Sequence, residues 1–195
     1  MQLKILNYSK MIKFFGLLSK KKKVKLQTAS SIYVALLHNV IAEGFVEIKD
    51  FINNNNNLES NPDLKDADID WFSNVVFLGN MKNLEVYFED DEATKLRALI
   101  LDEIYKDLES TAQHLAIERF LDYENYFKDL LAEHEYPINA MAHAIFEKYN
   151  INDFQGDLFK KKNVPNPIFF NELKNLLKHF LWNWEDYLEK NKLSF

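Results

Sequence analysis

The chain has 195 residues, no cysteine, only four glycines and four prolines, and a formal net charge of −6. The absence of cysteine excludes disulfides, thiolate metal sites and cysteine nucleophiles, and the scarcity of glycine and proline disfavours the many tight turns of a β-sandwich or barrel. Because 47% of the residues are hydrophobic, the composition excludes wholesale disorder and supplies enough apolar side chains for a core.

The charge is unevenly distributed along the chain. Residues 1–25 hold eight lysines and no acidic residue, which leaves a net charge of −14 on residues 26–195. We therefore divide the chain into a basic and apolar N-terminal extension, 1–25, and an acidic helical domain, 26–195. The densest positive charge follows a short apolar cluster and consists of Lys20, Lys21, Lys22 and Lys23. Such a segment either docks on an anionic membrane surface or is a solvated tail.

The N-terminal segment lacks the features of an export signal. Its lysines follow the apolar cluster, Lys13 interrupts that cluster, and no small-residue cleavage site is present. No window offers the roughly 20 apolar residues of a membrane-spanning helix. The expected location is therefore cytoplasmic, with peripheral contact to a membrane as an alternative.

The first third of the chain is predicted to form one long helix, a shorter helical piece and a loop. Apolar spacing and a Thr28 cap predict a helix over residues 28–43, which Gly44 would end. Residues 45–52 continue the helical spacing. Five consecutive asparagines and a proline then predict a mobile loop over residues 53–65.

The middle of the chain contains one ambiguous segment between two helices. Asp68 or Asp70 is a suitable cap for a helix that ends near Gly79. Residues 81–88 alternate like a strand that has no obvious partner. Apolar spacing and three leading acidic residues predict a helix that starts at Asp90.

The last third is predicted to be helical apart from one loop. Ser110 and Gln113 have the spacing of a capping box, and Pro137 suits the first turn of the next helix. A loop over residues 150–166 precedes a final helix that Asn166 and Pro167 open and that continues to Leu188. The sequence therefore predicts an all-α fold, a single-domain bundle of about five to seven helices with a basic N-terminal extension.

The common catalytic fingerprints are missing, and one set of side chains has the spacing of a metal site. The glycines at positions 16, 44, 79 and 156 are too scattered for a nucleotide-binding loop. His114 and Glu118 are four residues apart, and His143 and Glu147 repeat that spacing on the next helix. If the two helices were antiparallel, the four side chains could bind zinc, iron or manganese. The alternative interpretation is a plain polar helix face.

The predicted final helix has a polar face that carries a tryptophan. Trp182, His179 and Asp186 lie opposite the apolar stripe of that helix, so the indole of Trp182 is predicted to be exposed. An exposed indole among hydrogen-bond acceptors is a common anchor for a partner. We interpret these three residues as a contact site, and the alternative is a helix that is buried on both sides.

Three functions follow from these patterns. The leading hypothesis is a non-catalytic protein-interaction or regulatory protein that needs no cofactor and binds another protein. The second is a metal-dependent helical enzyme that uses the two histidine–glutamate pairs. The third is peripheral association with an anionic membrane through residues 1–25. Nucleic acid is not favoured, because one basic tail on an acidic body gives no continuous basic face.

Overall fold

The computed structural model describes residues 21–195. The elements follow one another in the order β1 (Lys22–Lys25), α1 (Leu26–Asn53), α2 (Ile69–Lys82), α3 (Leu84–Tyr87), α4 (Asp90–Tyr105), α5 (Ser110–His134), α6 (Pro137–Lys148), α7 (Asp157–Lys160), α8 (Pro167–Leu177), α9 (Trp184–Lys190) and β2 (Asn191–Ser194). Short 3-10 turns lie at Asp66–Asp68, Ile151–Phe154 and Lys178–Phe180. Seven of these α-helices contain seven residues or more, which confirms the predicted all-α bundle.

Helix α2 is the central helix of the bundle. Every residue from Val75 to Met81 is buried, because α2 contacts α1, α5 and α6. Helix α1 also packs on α4, and α6 also packs on α5 and α8. A helix that is apolar on all sides is stable only inside such a bundle, and burial of its side chains contributes about 25 cal/mol for each Å² of apolar surface.

Helix α1 is longer than predicted at both ends. It begins at Leu26 rather than after a Thr28 cap, and it runs through Gly44 to Asn53. Gly44 does not end the helix, because its missing side chain makes room for the ring of Phe180. A Cβ atom at position 44 would lie 2.6 Å from Cζ of Phe180. The glycine therefore serves a close approach between two elements.

By length and composition alone, α1 could cross a membrane, contrary to the expectation that no window of the sequence is apolar enough. It has 28 residues, and its most apolar 18-residue window has a mean hydropathy of 1.3. A core helix of a soluble protein passes the same test. In this helix, 39% of the window is buried within the bundle. Hydropathy therefore gives only weak evidence about a membrane.

The asparagine-rich loop after α1 is anchored at several points. The Asn53 amide closes its ends, because Nδ2 donates to the carbonyl oxygen of Leu64 (3.0 Å) and Oδ1 accepts from the Leu64 amide (2.8 Å). In the middle, Leu58 pairs with Gln155 as an isolated bridge. Residues 54–65 form a loop, as predicted, and these bonds tie it to the rest of the bundle, whereas its mobility stays a prediction.

Local sequence signals succeeded at some helix starts and failed at others. Pro137 is the first residue of α6, and the Asn166 side chain caps α8 by accepting from the Ile168 amide (2.9 Å), as predicted. Ser110 is wrong as a capping residue, because Glu109 occupies the position before α5. Residues 81–88 form the end of α2 and the short helix α3 instead of a strand.

The predicted last helix is interrupted before Trp182. Helix α8 ends at Leu177, a 3-10 turn follows, and α9 begins at Trp184. The buried side chain of Asn80 occupies the interruption. Its Nδ2 donates to the carbonyl oxygen of Phe180 (2.8 Å), and its Oδ1 accepts from the backbone amide of Trp182 (2.6 Å). These bonds replace helical partners that a continuous helix would have supplied.

The interruption turns the chain so that its last strand meets its first described strand. Strands β1 and β2 pair in parallel, with Val24 beside Leu193. Both of these side chains are buried against the bundle. Lys22–Lys25 therefore belong to the folded body, although the sequence analysis placed them in the extension.

An aromatic cluster fixes the turned segment. The ring of Trp184 stacks on Tyr33 with centroids 5.5 Å apart, and Trp182 and Tyr187 pack at its edges. Phe88 covers the other side of Trp184 at 5.1 Å. Aromatic pairs of this kind contribute about 0.5–1.5 kcal/mol each beyond their buried area.

We expect the substitution Gly44→Ala to lower the free energy of unfolding by about 1 kcal/mol, because overlap with the Phe180 ring outweighs the gain in helix propensity. Urea denaturation measures this change. The control Glu43→Ala, at an exposed neighbouring position, should stay within about 0.5 kcal/mol of the wild type. A stabilising effect of Gly44→Ala would contradict the close contact.

Candidate interaction groove

An open groove of about 600 Å³ lies where the end of α1 and the asparagine-rich loop meet α8. We call it the asparagine groove, and it is lined by Asp50, Phe51, Asn54, Asn55, Asn56, Asn57, Glu172, Asn175, Leu176 and His179. Its floor is apolar, since Phe51 stacks on Phe169 with centroids 5.3 Å apart. Its rim is polar, so the groove can hold an apolar stem and bind polar groups at the same time.

One hydrogen bond links the two walls of the groove, and a second lies within the loop. Nδ2 of Asn55 donates to Oε2 of Glu172 at 3.4 Å, across 117 positions of sequence. Oδ1 of Asn55 accepts from the backbone amide of Asn57 at 2.9 Å, which shapes the loop into a turn. The bond between Asn55 and Glu172 therefore holds the loop against α8.

The charge of the groove lining is negative. Asp50 and Glu172 contribute carboxylates, and neither lysine nor arginine is among the lining residues. Lys178 contacts one lining residue, since its Nζ donates to Oδ1 of Asn175 at 2.9 Å. The asparagine side chains of the lining offer both donors and acceptors, which matches the alternating groups of an extended peptide backbone.

The three residues predicted as a contact site lie in different surroundings. His179 is exposed and lines the groove. Asp186 lies on α9, where its backbone amide donates to Oδ1 of Asn183 at 3.0 Å and its side chain accepts from Asn183 Nδ2 at 2.9 Å. This pair caps α9. A role of Asp186 in binding stays a prediction.

Trp182 is not the exposed indole that the sequence predicts. The interruption after α8 rotates it away from His179, and its ring lies 5.5 Å from Tyr33 in an edge contact. Its Nε1 atom is buried and has no hydrogen-bond partner among residues 21–195. The indole therefore packs against the core, and its contact with a partner stays a prediction.

The four predicted metal ligands do not come together. His114 and Glu118 contact only each other within this set, with Nε2 and Oε1 3.3 Å apart on the exposed start of α5. Glu147 accepts from the Tyr126 hydroxyl at 2.6 Å. His143 packs near the end of α5, about 30 Å along that helix from His114, because α6 is too short to reach its start.

Within residues 21–195, no group of three or more histidine and carboxylate side chains has the arrangement of a metal site. The spacing of four residues was therefore misleading for a shared site. It describes a helix face correctly, but it does not say which part of a neighbouring helix that face meets.

His143 forms a stacked pair with His134. The two rings are nearly parallel, at 4°, with centroids 3.5 Å apart, and Phe170 lies against His143 at 4.6 Å. Burial, followed by the charges of His134 and Lys174, lowers the pKa of His143 to about 4. His143 is therefore neutral at neutral pH, and the stacked rings form a packing contact between α5 and α6.

Sequence reasoning missed most of the groove. The run of asparagines was identified as a loop, but nothing in it indicates that Glu172 lies opposite. Asp50 and Phe51 were assigned to a short helical piece because Gly44 was read as a helix end. The predicted piece 45–52 places both residues beside the loop, but nothing in the sequence places α8 next to them.

No protein-family model, no curated protein sequence and no solved structure matches this chain.

Because of the stacked histidines, we expect the protein to become less stable in acid. Unfolded His143 binds a proton below about pH 6.5, whereas the folded residue resists protonation until about pH 4. The contribution of neutral His143 to the free energy of unfolding is therefore complete above pH 6.5 and is lost as the pH falls towards 4. We expect this loss of unfolding free energy to be only about 1 kcal/mol, because the ring is partly exposed and solvent screens its charge.

Urea denaturation at several pH values tests this expectation. His143→Gln should flatten the pH dependence, whereas His114→Gln, at an exposed histidine, should leave it as in the wild type. An unchanged pH dependence in His143→Gln would show that the stacked pair does not resist protonation.

Proposed function

We propose that the protein is a non-catalytic binding protein whose asparagine groove holds an extended, cationic segment of a partner protein. The observation that supports this most strongly is the combination of two carboxylates, several asparagine amides and an apolar floor in one groove. Each part suits a different part of a lysine- or arginine-bearing peptide.

The carboxylates of Asp50 and Glu172 suit the charged ends of lysine or arginine side chains. The asparagine amides suit the backbone, because each amide can donate to a peptide carbonyl and accept from a peptide amide. Phe51 and Leu176 suit the aliphatic stem of the bound side chain, which is apolar over three or four carbons. Together these groups favour a cationic peptide over an acidic one.

The openness of the groove supports binding more than catalysis. Electrostatic stabilisation of a transition state is most effective in a site that excludes water. The groove is solvent-exposed, and exposed positions such as Asp50, Asn54 and His179 form its edge. A surface of this kind gives modest affinity with strong selection for charge.

A titration with a short peptide rich in lysine and arginine tests the proposal. We expect Asp50→Asn/Glu172→Gln to weaken the peptide about tenfold, because each exposed ion pair contributes up to about 1 kcal/mol. Isothermal titration calorimetry measures the affinity.

The matched control is Asp153→Asn/Asp157→Asn, which removes two exposed carboxylates outside the groove. It should bind the peptide like the wild type. Equal binding of a glutamate-rich peptide, or equal losses in the two double variants, would contradict the proposal.

A further inference from the structure

The two-stranded sheet gathers lysines from both ends of the described chain. The parallel register places Lys23 beside Lys192 and Lys25 beside Ser194, on the face away from the bundle. Because Val24 and Leu193 point inward, the alternation of a strand directs these lysines to solvent. With their exposed neighbours they form what we call the lysine patch: Lys21, Lys22, Lys23, Lys25, Lys190 and Lys192.

The lysines of the patch have no acidic partner among the described residues. None of its six members forms a salt bridge with another of residues 21–195, whereas exposed lysines elsewhere, such as Lys95 and Lys161, pair with an acid one helical turn away. Glu189 precedes Lys190, and it forms no salt bridge within the same part of the chain. Like charges directly opposite each other in a sheet are destabilising, so the pair Lys23 and Lys192 costs stability.

An exposed aromatic side chain borders the patch at the end of β2. Phe195, which follows β2, is 49% exposed, and its ring lies 6.1 Å from Phe88. Tyr87 and Val86 precede Phe88 on α3 and are 41% and 74% exposed. Lysines beside aromatic and aliphatic side chains are typical of a surface that meets the headgroups and upper acyl chains of a bilayer.

We propose that the lysine patch docks the protein on an anionic lipid bilayer. The lysines meet phosphate and carboxylate headgroups, while Phe195, Tyr87 and Val86 reach the boundary with the acyl chains. Nucleic acid offers the same phosphates, but it offers no apolar layer for the exposed ring of Phe195. This surface is separate from the asparagine groove, so each proposal can fail without the other.

Co-sedimentation of the full chain with vesicles tests the docking. We expect binding to vesicles of phosphatidylcholine and phosphatidylserine that weakens as salt is added, and little binding to phosphatidylcholine alone. Lys23→Gln/Lys25→Gln/Lys192→Gln should reduce the affinity about a hundredfold, because each lysine near the surface contributes about fivefold. The matched control is Lys160→Gln/Lys161→Gln/Lys162→Gln, which removes the same charge from another exposed segment and should bind like the wild type.

A second measurement separates a docking role from a structural one. Lys192→Gln should raise the thermal midpoint, because it removes the repulsion from Lys23, and the same variant should bind vesicles less well. Three results would overturn the proposal: no binding of the wild type to anionic vesicles, equal binding by the two triple variants, or binding to duplex DNA without binding to vesicles.

Discussion

The path of the C-terminal part of the chain depends on the buried side chain of Asn80. This residue is 1% exposed on the central helix, and its amide bonds to two backbone groups of the segment Phe180–Trp182. A buried amide with fewer partners would cost about 1–3 kcal/mol for each group left without one. Asn80 therefore makes an interruption at this point favourable, where the apolar spacing of the sequence would otherwise continue the helix. The Phe180 ring, placed in this way, packs against Gly44.

Both proposed surfaces follow from that interruption. Before it, α8 carries Glu172 and His179 follows in the 3-10 turn, so that both face the asparagine-rich loop. After it, α9 and β2 turn back along the bundle, and β2 pairs with β1 to assemble the lysine patch. A second buried amide, that of Gln155, fixes the start of α8, since its Oε1 accepts from the backbone amide of Asn166 at 2.5 Å. The fold thus positions a negative groove and a positive patch through two amides in its interior.

The sequence predicted those features that depend on neighbouring residues. Helix starts at Pro137 and Asn166 follow from local backbone chemistry, and apolar spacing was sufficient for the all-α class. Features that depend on distant residues were missed or misread. Gly44 was taken as a helix end because the ring that needs the space comes from Phe180, far along the chain. The sequence shows the positive charge of the run Lys20–Lys23, but it does not show that Lys23 lies beside Lys192. Of that run, Lys20 lies outside the described residues, as does the rest of the predicted extension up to that position.

The substitution Asn80→Leu tests the central claim most directly, because it keeps the size of the side chain and removes its hydrogen bonds. We expect the free energy of unfolding to fall by about 3 kcal/mol, and amide hydrogen exchange in β1 to accelerate as the sheet loses its anchor. Asn74→Ala, which removes an amide bonded only within its own helix, should change neither quantity appreciably. If Asn80→Leu left both the stability and the protection of β1 as in the wild type, the path of the C-terminal segment would not depend on Asn80.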